Sequence, residues 1–186
     1  MVPQHIFLTK GVGRHREKLQ SFEMALRKAD IARYNLVRVS SILPPGCKMM
    51  HKKKGLDFLN PGEIIFGVLS ENSTDEPNRL LAASIGIAVP NGKDRYGYLS
   101  EHHSFGQTER AAGDYAEDLA ATMLATTLGI EFNLEDAWDE RKEIYKMHNQ
   151  IIRTSNITQS AIGNKKGQWT TVIAAAIFIP TPHGLP

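Results

Sequence analysis

The side chains of this sequence that could do chemistry are few, and they gather in two places. Ser40 and Ser41 are adjacent hydroxyls in the middle of the stretch NLVRVSSILPPG, residues 35–46, near the end of the strand it predicts. Glu101, at the end of YGYLSE, shares one strand face with Gly97 and Leu99. A carboxyl group so placed can serve as a proton donor. By itself it reads better as a surface glutamate at a strand end. The serine pair is open in the same way. No serine lies in the G-x-S-x-G pattern of a hydrolase nucleophile elbow, and two small residues at a strand end specify nothing by themselves.

The other candidates have plainer readings. His102 and His103 are neighbours on a strand and so point to opposite faces. They cannot chelate one ion there, and no cysteine or carboxylate cluster at ligand spacing joins them, so no metal is expected. Gly11-Val12-Gly13, beside Lys10 and Arg14, lacks the rest of both a P-loop and a dinucleotide fingerprint, and a plain turn is expected. Lys52, Lys53 and Lys54 have no aromatic interleaving and read as a solvated loop rather than a nucleic-acid contact. Asn72-Ser73-Thr74 and Asn156-Ile157-Thr158 match the glycosylation sequon and read as ordinary loop residues.

The elements that must position these residues follow from periodicity. Residues 5–9 form a first strand. Phe22, Ala25, Leu26 and Ala29 share one helical face, which predicts a helix over about 20–29. Val37, Val39 and Ile42 favour extended backbone, and Pro44 with Pro45 ends that strand because neither can donate to a ladder. A basic irregular loop follows, then strands at EIIFGVLSE (63–71), LLAASIGIAVP (80–90) and YGYLSE (96–101), with a polar loop (ENSTDEPN) and a turn (NGKDR) between them. Thr108 caps a helix that runs to Leu128, with Glu109 in its first turn and Gly129 after its end. Residues 134–153 are predicted helical, and TTVIAAAIFIP (170–180) is a last, buried strand. The sum is an α/β sandwich, a mainly antiparallel β-sheet covered by α-helices.

Composition sets the outer bounds. A chain of 186 residues with 41% hydrophobic content suits a single domain with a normal core. A net charge of +2 is too small to imply a nucleic-acid or membrane partner. One cysteine, Cys47, excludes an internal disulfide framework. MVPQHIFLTKG reads as a strand rather than a signal peptide, and no apolar segment approaches a membrane span. The expectation is a soluble cytoplasmic protein.

The stretch NLVRVSSILPPG, with the helix SFEMALRKADI just before it, resembles the pyruvoyl-dependent arginine decarboxylases. GEIIFGVLSE, LAASIGIAVP, YGYLSE and the alanine-rich closing strand fall in that family's order, so the resemblance spans about residues 5–180. It implies that the bond between Ser40 and Ser41 breaks itself. The Ser41 hydroxyl would attack the Ser40 carbonyl, and elimination and hydrolysis would leave a small chain (1–40) and a large chain (41–186) headed by a pyruvoyl group derived from Ser41. That group would form a Schiff base with L-arginine and release carbon dioxide and agmatine, a polyamine precursor, with no pyridoxal phosphate and no metal. By resemblance Glu101 is the proton donor, Asn35 the active-site asparagine and Glu23 the acid for the guanidinium, where the family pattern has the shorter aspartate. The family also implies trimers, sometimes dimers of trimers, with sites between subunits. Six residues separate Asn35 from Ser41, roughly 20 Å along one straight strand face, so the two would meet only across a subunit boundary unless the strand bends. The alternatives are the same chemistry on another amino acid, or an unprocessed trimeric binding or scaffold relative.

Overall fold

The structure is a computed structural model that describes residues 2–130 and 151–180. In chain order its elements are β1 (His5–His15), α1 (Lys18–Lys28), β2 (Asn35–Arg38), β3 (Ile42–Leu43), β4 (Lys48–Met49), α2 (Lys52–Leu56), β5 (Ile64–Thr74), β6 (Leu80–Pro90), β7 (Gly97–Phe105), α3 (Glu109–Thr127), β8 (Ile151–Ile162) and β9 (Trp169–Ile179). The strands form a five-stranded sheet in the order β2-β5-β9-β1-β4 and a four-stranded sheet in the order β3-β7-β6-β8. The long pairings are antiparallel, while β1–β4 and β2–β5 are short parallel contacts. The predicted α/β sandwich is the observed one.

Alternation within the strands explains the layers. In β9, Ile173, Ala175 and Ile177 join Phe7, Ala25, Ala29 and Ile65 in a core under α1. The intervening Ala174, Ala176 and Phe178 face the second sheet and meet Ile85, Ile87 and Leu99 there. A strand buried on both faces must be apolar throughout, which is why TTVIAAAIFIP carries no charge. On the far side, Ala120, Ala121, Leu124 and Ala125 of α3 pack on β6. A Cβ at Gly86 would collide with the Ala116 carbonyl, so α3 lies almost on the β6 backbone. Its ends match the sequence reading. The Thr108 hydroxyl accepts from the Ala111 amide at 3.2 Å, and Gly129 takes a positive φ of 68°.

Several expectations are corrected. Gly11 and Gly13 are not a turn but the middle of β1, which runs on to His15. A Cβ at either would strike the α1 backbone, at Ala25 and Ser21 respectively, so these glycines let the helix approach the sheet. The basic loop contains β4 and the short α2. Both sequons lie in strands, Asn72-Ser73-Thr74 closing β5 and Asn156-Ile157-Thr158 inside β8. Of the helix predicted over 134–153, residues 151–153 are strand; the remainder lies outside the described residues.

Candidate functional site

The stretch predicted as one strand through both serines is in fact split between the two sheets. β2 ends at Arg38. The Val39 amide still donates to the Gly67 carbonyl at 3.1 Å, in the five-stranded sheet, but the Ser41 carbonyl accepts from the Leu99 amide at 2.8 Å, in the four-stranded one. Ser40 is the crossing point. The Ile42 amide reaches back to the Ser40 carbonyl at 2.9 Å, a three-residue turn centred on Ser41 of the kind common at strand ends. Beyond it Ile42 and Leu43 pair with Tyr98 and Gly97, and Leu43 is anchored in the core between the sheets. The straight-strand separation of Asn35 from Ser41 therefore does not apply, because the chain leaves the sheet between them.

Ser41 and Glu101, sixty residues apart in sequence, are brought together: the Ser41 Oγ donates to Glu101 Oε2 at 2.9 Å. Glu101 does not end its strand but sits in the middle of β7, which continues to Phe105. Its register is set from below by Leu99, fully buried between the sheets. Neighbouring elements pin the strand on both sides. The Ser70 hydroxyl donates to the His102 carbonyl at 2.7 Å and the Asn72 amide to the Ser104 carbonyl at 2.9 Å, both from β5. The Ser100 hydroxyl donates to the Ala116 carbonyl of α3 at 2.5 Å. Glu101 itself is exposed. A serine hydroxyl thus rests on a carboxylate at an open edge of the sandwich, with both residues held by rigid strands.

Asn35 and Glu23 stand apart from this pair. Asn35 opens β2, with its side-chain amide donating to the Gly62 carbonyl at 2.7 Å. By alternation it lies on the same face as Val37 and Val39, and Val39 packs into the core between the sheets. Glu23 is on α1, where Arg27 one turn later donates through Nε to its Oε1 at 2.5 Å. A guanidinium already occupies the carboxylate assigned to a substrate guanidinium. His102 faces α3, with Nε2 2.8 Å from Gln107 Oε1 and its ring against Tyr115. Among the described residues no group of three or more His, Cys, Asp or Glu could hold a metal ion. Burial pushes the Cys47 thiol up to about 12, so it stays protonated and a poor nucleophile at neutral pH.

Sequence reasoning missed the main-chain contacts of the site, the Leu99 and Ile42 amides. No residue type signals them, because any non-proline residue has an N–H. Only the sheet crossing places them.

Comparison with known proteins shows the family of the chain. Residues 5–183 match the family model described as pyruvoyl-dependent arginine decarboxylase. A probable pyruvoyl-dependent arginine decarboxylase of Chloroherpeton thalassium is 62% identical over 179 residues, covering 96% of this chain and 98% of the relative. Pyruvoyl-dependent arginine decarboxylase 2 of Methanosarcina acetivorans is 59% identical, and its counterpart from Methanosarcina mazei 57%, at the same coverage. The chain belongs to the pyruvoyl-dependent arginine decarboxylase family. Among the described residues no helix is long and apolar enough to cross a membrane.

Proposed function

We propose that this chain is a self-processing decarboxylase that converts L-arginine to agmatine and carbon dioxide. The observation that carries the reading is the 2.9 Å hydrogen bond from Ser41 Oγ to Glu101 Oε2 at the sheet crossing. The family's cofactor is made from the chain, so the fit depends on whether a serine stands where its hydroxyl is engaged and its backbone held. Ser41 meets both conditions, through Glu101 and the Leu99 amide. The bond between Ser40 and Ser41 is the proposed cleavage site, giving residues 1–40 and 41–186 of one domain. A pyruvoyl group there supplies a ketone that takes the substrate's amine and accepts the electrons left when the carboxylate departs.

The remaining roles belong to ordinary side chains. Glu101 delivers the proton that the α-carbon needs, being the carboxyl group in contact with residue 41. Glu23 takes the guanidinium, for which a carboxylate offers two parallel acceptors. Its bond to Arg27 must then be exchanged for one to substrate. That exchange is cheap, because an exposed ion pair contributes only about 0–1 kcal/mol. Neither pyridoxal phosphate nor a metal is required. The proposed compartment is the cytoplasm, where the free amino acid is available.

The active assembly in this reading is a trimer, or a dimer of trimers. Val37, Phe66 and Ile64, at 39%, 40% and 59% exposure, form an apolar strip beside Asn35 at the edge of the five-stranded sheet. A strip of that kind favours contact with another copy.

Intact mass spectrometry of the purified protein, alongside release of labelled carbon dioxide from carboxyl-labelled arginine, tests the reading. Two chains breaking after residue 40 are expected, together with release of label. Ser41→Ala, lacking the hydroxyl, is expected to remain whole. A single uncleaved species of 20.7 kDa from the parent sequence would sink the proposal.

A further inference from the structure

We propose that the main-chain N–H of Leu99 is a catalytic oxyanion donor, stabilising negative charge on the carbonyl oxygen of residue 41 during decarboxylation. This rests on the reading that Ser41 becomes the ketone-bearing chain end. Processing alters the side chain and nitrogen of residue 41 but leaves its carbonyl in place, still joined to Ile42. That carbonyl then stands directly beside the ketone. In the reaction the bond between the substrate's α-carbon and its carboxylate breaks, and the electron pair stays behind. It is delocalised over the conjugated system at residue 41 until the α-carbon takes a proton. The oxygen of the adjoining carbonyl is one terminus for that charge, and a donor aimed at it lowers the barrier.

The structure provides such a donor. Leu99 N lies 2.8 Å from Ser41 O, inside the 2.7–3.1 Å range expected of an oxyanion contact. The donor is preorganised. Leu99 is completely buried between the sheets, its strand is tied to β5 through Ser70 and Asn72, and β6 pairs with it along most of its length. It has little freedom to reorganise as charge develops. The same strand places Glu101 two residues further on, against the side chain of residue 41. β7 therefore presents an anion-stabilising amide and a proton donor at spacing i, i+2, aimed at the two ends of one residue. The short β3 exists in this account to hold residue 41 against that pair: its two residues register Ile42 on Tyr98 and Leu43 on Gly97.

Replacing the Leu99 amide with an ester removes the N–H and keeps the side chain, and can be done by incorporating the α-hydroxy analogue of leucine at position 99. The control is the same exchange at Ser100, whose N–H, by strand alternation, points to β6 and whose loss breaks a ladder bond of similar kind. The expected result is cleavage into two chains in both variants, with turnover lowered about 10²–10³-fold in the Leu99 ester relative to the Ser100 ester, the range for removal of one oxyanion donor. A second readout does not depend on turnover. With serine carrying carbonyl 13C, the amide-region infrared band present in the processed parent and missing from Ser41→Ala reports the residue 41 carbonyl; the new carboxylate of Ser40, also labelled, absorbs at lower frequency, outside that region. That band is expected below the frequency of a small α-keto amide in a non-hydrogen-bonding solvent, and to rise in the Leu99 ester. Equal turnover in the two esters overturns the proposal, and so does a parent band at the unbonded frequency, a measurement that holds even if the ester chains fail to fold. A parent that is not cleaved at all instead overturns the underlying reading of Ser41.

Discussion

At the scale of single residues, the site pairs a group that is chemically ordinary with a partner that gives it direction. Glu101 is an exposed carboxylate whose position, rather than burial, marks it, because its Oε2 touches the hydroxyl of residue 41. Glu101→Gln keeps an oxygen acceptor for that hydroxyl and loses the transferable proton. Turnover is expected to fall about 10²–10⁴-fold, the usual contribution of a positioned acid, while the fold persists. Self-cleavage is to be measured in the same sample, since failed processing would mimic the loss. Near-parental turnover in fully cleaved Glu101→Gln removes the residue as proton donor. Glu23 is tested by choice of substrate. Glu23→Gln keeps size and drops charge, so turnover of arginine should suffer far more than that of an amino acid with an uncharged side chain. Equal losses would reduce Glu23 to a helix-surface acid whose role is its pairing with Arg27.

At the scale of elements, α1 carries Glu23 and is set by how closely it can lie on β1. Gly13→Ala puts a methyl group into the Ser21 carbonyl and the Ala25 backbone. Overpacking of this kind typically costs about 1–3 kcal/mol, and a lower urea midpoint for Ser41→Ala/Gly13→Ala than for Ser41→Ala alone is the expected outcome. An unchanged midpoint would mean that helix and strand are not in this contact. The same glycines show where the sequence is ambiguous. Gly-x-Gly beside charged residues has the grammar of a turn, and only the helix above it reveals that the glycines serve close approach. β6, β9 and α3 were readable because their patterns are local: two-sided apolar runs for β6 and β9, and a cap with a following glycine for α3. β8 was not readable. Its polar positions make contacts supplied by other elements, such as the Asn156 amide donating to Glu117 of α3 at 3.1 Å, and so break the apolar alternation that signals a strand. The meeting of Ser41 with Glu101 was carried by the family resemblance and not by any pattern. Its physical cause, the crossing of the chain from one sheet to the other at Ser40, is a tertiary event that β-propensity does not encode.

At the scale of the whole molecule, the two sheets divide the proposed machinery between them. Residue 41 and Glu101 belong to the four-stranded sheet, while Asn35 lies on an edge strand of the five-stranded one, beside the exposed Val37, Ile64 and Phe66. Within its own chain the Asn35 amide is occupied by the Gly62 carbonyl. In the proposed trimer, that apolar edge meets a neighbouring copy and Asn35 serves the neighbour's residue 41. Defects in the two positions should then complement. Asn35→Ala subunits that still cleave themselves supply residue 41, Ser41→Ala subunits supply Asn35, and each variant alone should be nearly inactive for a different reason. Co-expression with two affinity tags yields mixed assemblies that can be purified through both tags in turn. Those assemblies are expected to regain part of the parental activity, by an amount set by mixing statistics and by how many Asn35→Ala chains self-cleave. If doubly purified assemblies contain cleaved chains and still show no activity above the two parents, Asn35 acts on the residue 41 of its own chain. The bend between the sheets, rather than a subunit boundary, would then be what brings them together.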